Sequence, residues 1–325
     1  MSSVGSAAFV SPGPRNEPAA AAASAVLTID LEDWNQLIAR QSGARDWDRP
    51  CAAFPRQVDA LLALLDRMGA HATFFVLGLT AKNYGDVVRK IAARGHAIAS
   101  HGYGHNPVWL QSRASFRADL ERSIDVIGST AGARPRGYRA PAFSIKRSDL
   151  WAYEVLADLG FEYDSSQHDS PWIRDRIVPI RPGPHVMSLP SGRTLVEFPP
   201  AVLRLSRARL PFGGGSYWRV LPDLVIRRAI AAHIERGDAP TLYFHPYEFD
   251  PEALRLAARS PGARVRELRY NVRRSGIGER LSRLGRRLPF ITCEDYIEQH
   301  RRAGEAPLSG TCSVVRPAVR GPGQR

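Results

Sequence analysis

Residues 96–105 read HAIASHGYGH. The short apolar run Ala97-Ile98-Ala99 reads as a strand, and it ends at a polar segment that carries His101 and His105, four positions apart. Two imidazoles at that spacing converge on one metal ion if the backbone turns helically after the strand. Nine histidines among 325 residues produce such a spacing by chance in about one chain in four. A strand-end histidine also has a plainer use, which is to satisfy a backbone carbonyl. The meaning of the pair therefore depends on what stands at equivalent places along the chain.

Outward from this strand, short apolar runs alternate with amphipathic segments, the pattern of βα units and a parallel sheet. Strands are predicted at AVLTID (25–30), HATFFVLG (71–78), HAIASH (96–101), RGYRAP (136–141), FEYDSS (161–166), VEFPP (196–200) and TLYFHPYE (241–248). Helices are predicted at 55–69, closed by Gly69, at 84–95, at 112–132, at 148–160 with Ser148 as its N-cap, and near 221–237. Asp30, His101, Arg139, Asp164 and His245 all fall at the carboxyl ends of these strands. In a parallel barrel those ends open on one face, where active sites are assembled. Five such coincidences favour a functional constellation over five independent structural residues.

The composition fits a single folded unit. At 325 residues, with 44% hydrophobic and 24% charged residues, the chain can bury one large core of the α/β-barrel kind. Residues 1–24 are rich in Ser, Gly, Pro and Ala and read as a disordered leader; 301–325 read as a disordered tail. The alanine-rich stretch 18–26 makes a poor export signal, and no run approaches the roughly 18 apolar residues of a membrane span, which points to the cytoplasm. Cys51, Cys293 and Cys312 are odd in number and lack CxxC spacing, so neither a disulfide framework nor a thiolate metal site is indicated. The net charge of +13 is mostly arginine, concentrated at 255–289. Nucleic-acid binding would want aromatics interleaved with that charge, and only Tyr270 lies within it. A solvated basic surface, or a face for acidic glycans or peripheral membrane association, is the expectation there.

The blocks TIDLEDW (28–34), TFFVLG (73–78), GHAIASHGYGH (95–105), RGYRAPAFSI (136–145), FEYDSS (161–166), LPFGGGSYWR (210–219) and YFHPYE (243–248) give the chain a family resemblance. Over roughly residues 25–300 it resembles the NodB-type polysaccharide deacetylases of carbohydrate esterase family 4, and within them the deacetylases linked to exosortase/PEP-CTERM exopolysaccharide clusters. The resemblance implies a single-domain, distorted (β/α) barrel with a subfamily-specific extension at about 200–300. It also implies metal-dependent removal of N-acetyl groups from an N-acetylhexosamine-containing polysaccharide or its lipid-linked precursor. Two other readings stay open: hydrolysis of a small non-peptide amide on the same fold, and a catalytically silent carbohydrate-binding barrel.

Residue by residue, His101 and His105 match the family's metal histidines, with Gly102 where relatives usually carry Ser or Thr. Asp30 matches the catalytic base. The metal-binding acid that usually follows the base is replaced by Leu31, so the third ligand is Glu32 or Asp33, with Glu32 favoured by its i, i+2 spacing. The metal would be zinc, with cobalt or nickel as alternatives. Arg139 matches the arginine that orients the base, and His245 the general acid that protonates the leaving amine. Asp164 resembles the acidic partner of that histidine, or else is an Asx-turn residue. Leu242 would line the acetyl pocket, and Ala142-Phe143 would offer a backbone N–H to the oxyanion. Trp34, Tyr103 and Trp218 are either sugar platforms or core aromatics. The Gly213-Gly214-Gly215 run reads as a flexible loop near the site rather than a phosphate cradle.

Overall fold

The strand AVLTIDL, Ala25–Leu31 (β1), is buried along its whole length, as a strand covered on both faces must be. The computed structural model describes residues 23–41, 43–171, 175, 180–205, 208–255, 261–302 and 312–313. After β1 come α1 (Trp34–Gln41), α2 (Ala53–Met68), β2 (Thr73–Val76), α3 (Gly78–Asn83), α4 (Gly85–Ala93), β3 (Ala97–Ser100) and α5 (Arg113–Ala131). Then follow β4 (Gly137–Tyr138), α6 (Trp151–Asp158), β5 (Tyr163–Asp164), β6 (His185–Ser188), β7 (Thr194–Glu197), β8 (Val202–Leu205) and β9 (Ala208–Pro211). The last part holds α7 (Gly215–Val220), α8 (Asp223–Ile234), β10 (Thr241–Phe244), α9 (Pro261–Asn271), α10 (Ile277–Gly285), β11 (Phe290–Ile291), α11 (Cys293–Arg302) and β12 (Cys312–Ser313).

The main sheet runs β10-β1-β2-β3-β4-β5-β7-β6-β12, with β11 paired to the start of β1. All neighbours from β10 through β7 are parallel; β6 alone runs antiparallel to β7. Beyond β7 the chain returns to β10 through parallel bridges from Pro200 to Thr241 and from Gly214 to Tyr243. The sheet therefore curls back on itself as a distorted (β/α) barrel. Side-chain alternation along β1 sorts the interior. Leu27, Ile29 and Leu31 join Phe54, Val58, Leu61 and Leu65 of α2 in the largest apolar cluster. Thr28 and Asp30 point the other way, toward Arg139.

Helix ends mostly follow local chemistry. α2 stops at Gly69, whose φ of 58° is left-handed, and Ser112 caps α5 in a reciprocal pair with Ser115. Ser148 does not cap α6: residues Arg147–Asp149 form a short 3₁₀ turn first, and the Ser148 hydroxyl bonds Asp149. The glycine run is not a loose loop either. A Cβ at Gly213 would strike the backbone of Ala201 and Thr241, and one at Gly214 would strike the Tyr243 ring. The Tyr243 N–H donates to the Gly213 carbonyl at 2.7 Å. Gly213 and Gly214 thus let a strand-like segment press directly on β10.

The expected leader and tail fall almost wholly outside the described residues, as do positions 256–260 of the basic segment. Within that segment Arg274 is buried and donates to the carbonyls of Tyr247 and Glu252, and Arg280 donates to those of Trp218 and Leu221. Part of the basic excess is therefore internal structure rather than surface. No helix among the described residues is long and apolar enough to cross a membrane.

Candidate active site

The site grows from the end of β1. Asp30 and Glu32, two residues apart, share a face, while Leu31 between them packs into the apolar cluster. Glu32 is buried, with Oε2 3.1 Å from His105 Nε2 and 3.8 Å from His101 Nε2, and Oε1 3.2 Å from His245 Nε2. Burial works to raise the Glu32 pKa, but the facing His105 and His245 imidazoles overcome it and hold the carboxyl well below the usual range. Asp33 stands apart. Its carboxylate caps α1 by accepting from the Asn35 N–H at 3.0 Å, and it also accepts from the Cys51 N–H at 3.2 Å and the Tyr84 hydroxyl at 2.5 Å. Of the two acids left open by the sequence, the fold brings Glu32 to the histidines and commits Asp33 to a structural network.

The histidine pair converges without the helical turn that its spacing suggested. Residues 101–107 are irregular, and the backbone reverses through left-handed conformations at Gly102 (φ 76°) and His105 (φ 55°). That requirement explains glycine at position 102, where a Cβ would also meet the Asp119 carboxylate at 2.9 Å. Asp119 holds the loop by accepting from the Tyr103 N–H at 2.8 Å. His101 Nδ1 lies 2.7 Å from the Arg139 carbonyl, so Nδ1–H donates there and Nε2 keeps its lone pair. Burial pushes the His101 pKa down, which keeps that ring neutral.

Glu32 Oε2, His101 Nε2 and His105 Nε2 lie close enough to share one ion, all within 4.8 Å of one another. Glu32 Oε2 is buried with no hydrogen-bond partner, which is costly unless something else binds it. One carboxylate oxygen and two imidazole nitrogens form a donor set suited to a divalent transition metal with open positions. These three residues could hold such an ion.

Beside them Asp30 accepts from Arg139 Nη1 at 2.6 Å, with both side chains buried. Arg139 is fixed by further bonds to Thr28 Oγ1 at 3.0 Å and to the Ser165 hydroxyl at 2.7 Å and carbonyl at 3.2 Å. His245, at the end of β10, places Nε2 3.9 Å from Asp30 Oδ2. Its acidic neighbour is Glu248, whose Oε2 accepts from the His245 N–H at 2.9 Å and lies 3.5 Å from Nδ1. Burial works against the charged ring, but Glu248 and Glu32 together raise the His245 pKa to about 10. Glu248 is buried because Gly215 makes room for it: a Cβ there would fall inside the carboxylate.

Several expected residues do other work. Asp164 does not meet His245. It accepts from the N–H and hydroxyl of Ser166, both at 2.8 Å, which is the Asx-turn alternative, and it faces Glu197 across the β5–β7 pair. Burial raises the pKa of both carboxyls, Asp164 to about 6. The Ser166 hydroxyl then accepts the Ala140 N–H at 2.8 Å, so Asp164 braces the turn that carries Arg139. Leu242 points into the apolar cluster beneath the helices, because strand alternation turns Tyr243 and His245 inward instead. The Phe143 N–H is occupied by the Ala140 carbonyl at 3.0 Å and is not the oxyanion donor; Ala142, with φ 54°, sits exposed at the same turn. The Phe143 ring lies edge-on to Tyr243 at 5.1 Å. Tyr103 packs on Gly78 with the Arg122 guanidinium 3.6 Å from its ring, and Trp218 is a core residue bonded to the Phe212 carbonyl. Trp34 does reach the site: it lies edge-on to His245 and stacks on Tyr247, each at 4.9 Å. With Tyr217, Arg219, Tyr270 and Val272 it lines an open groove of ≈ 470 Å³ that has His245 in its wall. Glu248 was missed from the sequence although it lies in YFHPYE; its i+3 offset from His245 was the available signal.

Residues 48–163 match the polysaccharide deacetylase family, and residues 173–298 match a domain of unknown function, DUF3473. A peptidoglycan-N-acetylglucosamine deacetylase of Bacillus cereus is 32% identical over 95 residues, 28% of this chain and 34% of that protein. Chitin deacetylase 1 of Saccharomyces cerevisiae is 35% identical over 79 residues, 24% of this chain and 26% of that one. The chain thus spans about a quarter to a third of the length of these curated relatives. The solved structure of a candidate polysaccharide deacetylase from Mycobacterium smegmatis shares the fold, with a TM-score of 0.56 at 24% identity, over 91% of this chain and 99% of that one. The barrel therefore has the NodB-type fold of that solved deacetylase structure. Within that fold, the segment 48–163 belongs to the polysaccharide deacetylase family. The segment matching DUF3473 is no separate appendage: it supplies β10 beside β1, and with it His245 and Glu248.

Proposed function

We propose that this protein is a metal-dependent hydrolase that removes N-acetyl groups from an N-acetylhexosamine-containing glycan, such as an exopolysaccharide or its lipid-linked precursor. The observation that carries the reading is the buried, unpartnered Glu32 Oε2 facing His101 Nε2 and His105 Nε2, two residues past Asp30 of the Asp30–Arg139 pair. Glu32, His101 and His105 would hold the cation, zinc by preference of the donor set, with cobalt or nickel as alternatives. When bound, such an ion polarises an amide carbonyl and acidifies water. Asp30, oriented by Arg139, takes the proton of the attacking water. His245, kept protonated by Glu248, donates to the leaving amine nitrogen, which would otherwise depart as a poor anion. Trp34, half-buried in the groove wall and backed by Tyr247, offers an aromatic surface beside His245, which suits a sugar ring better than a small linear amide.

The test is metal content together with acetate release from N-acetylglucosamine oligomers. Bound metal with acetate release supports the reading. Bound metal with no release from any glycan favours a small-amide substrate, and neither metal nor turnover favours a silent carbohydrate-binding barrel.

A further inference from the structure

The groove beside His245 has an apolar lip that continues onto α9. Val265, Leu268 and Val272 follow i, i+3, i+7 spacing and share about 60° of the helix circumference. None is covered: Val265 and Leu268 are each 66% exposed and Val272 is 43% exposed. Across the groove Val220, at the end of α7, is 63% exposed. The opposite side of α9 is the one attached to the body of the protein. There Tyr270 packs edge-on to Trp34 at 5.5 Å, and the Asn271 amide bonds the N–H and carbonyl of Leu254. By helical geometry Arg264 and Arg269 flank the apolar stripe on its two sides.

We propose that this α9 face is a docking surface for an anionic lipid bilayer, on which it lies as an interfacial helix with the groove opening at the membrane. Two physical points select this occupant. An exposed apolar stripe bordered by arginines matches the acyl and headgroup layers of an anionic leaflet simultaneously. A second copy of the same face would set arginine against arginine in a chain that already carries +13, so self-association is disfavoured. Docking stands independently of the hydrolase reading. The consequence that the glycan is presented at a membrane rests on that reading.

The experiment is co-sedimentation of the full chain with vesicles of phosphatidylcholine alone and of phosphatidylcholine with phosphatidylglycerol in equal parts. Binding is scored without turnover, so its failure and failure of the hydrolase reading are separately visible. The protein should bind the mixed vesicles and only weakly the zwitterionic ones, and added salt should weaken binding. The double variant Val265→Asp/Leu268→Asp should bind at least about tenfold more weakly. Arg264→Glu should lose about fivefold or more. Both should unfold in urea as the parent does, because these side chains project into solvent. The proposal is overturned if the double variant binds mixed vesicles like the parent, or if neither vesicle is bound. It is equally overturned if a soluble polyanion such as heparin competes fully while the aspartate pair has no effect, since the face would then serve a water-soluble polyanion.

Discussion

Glu32 and Asp33 are adjacent acids with separate fates, and paired substitutions distinguish them. Glu32→Gln keeps the volume and removes the anionic donor that faces His101 and His105 at 3.8 and 3.1 Å. Orienting partners behind a metal ligand already change affinity by about 10–100-fold, so loss of the ligand's charge should exceed about 100-fold. Asp33→Ala removes the cap bond to Asn35, worth about 1 kcal/mol. It also takes the acceptor from the Tyr84 hydroxyl, a buried donor whose loss of partner costs about 1–3 kcal/mol. The Cys51 N–H is spared much of this cost because it also donates to Tyr84 Oη at 2.5 Å. The sum is about 2–4 kcal/mol, within the margin of about 5–15 kcal/mol that a domain possesses. Metal content after gel filtration, chelator competition and urea unfolding of the metal-free protein read both quantities. Glu32→Gln should lose metal, and Asp33→Ala should lose stability while still binding metal. An Asp33→Ala protein that is as stable as the parent but metal-free, or a Glu32→Gln protein that retains full affinity, would refute the reasoning.

Asp30→Asn should keep its metal and lose about 10²–10⁴-fold in turnover of acetate release; full activity in this variant would remove Asp30 from the chemistry. Glu248→Gln should move the basic limb of kcat/KM down by about one pH unit or more, because Glu248 is the acid beside Nδ1 that raises the His245 pKa. Protonated His245 has a stability signature: with Glu248 and Glu32 raising its folded-state pKa to about 10 from the ordinary 6.5, the stabilisation is fully present below about pH 6.5 and is lost as pH rises through 10. An unchanged pH profile in Glu248→Gln would show that Glu248 does not position His245. Arg139→Met should cost about 3–5 kcal/mol in urea unfolding, since it leaves the Asp30 carboxylate buried without its 2.6 Å partner. Adding Asp30→Asn to Arg139→Met should recover part of that loss, and strict additivity would argue against direct coupling.

What could be read from the residues alone was the part governed by local periodicity. β1, β2, β3 and β10 announce themselves as short apolar runs, and α2 and α5 as amphipathic stretches with visible stops. Their alternation forces parallel pairing, and parallel pairing puts Asp30, His101, Arg139 and His245 at one end of the sheet. Inner and outer faces of a strand were equally legible in principle: period two assigns Tyr243 inward and Leu242 outward, a distinction the motif alone obscured.

Tertiary structure decided everything that depends on two distant segments meeting. The sequence could offer Glu32 or Asp33 as ligand, but only the arrival of Cys51 and Tyr84 beside Asp33 consumes one of them. Asp164 and Glu248 are both acids near the expected place. The β5–β7 register gives the first to Glu197 and Ser166, and the space left by Gly215 admits the second beside His245. Spacing along the chain constrains which faces residues share, so it determined the barrel and that Asp30, His101, Arg139 and His245 gather at one end of its sheet. The decisive hydrogen-bond partners and buried charges are set by contacts between segments far apart in sequence, across 109 residues for Asp30 and Arg139 and 51 for Asp33 and Tyr84, which local periodicity does not encode.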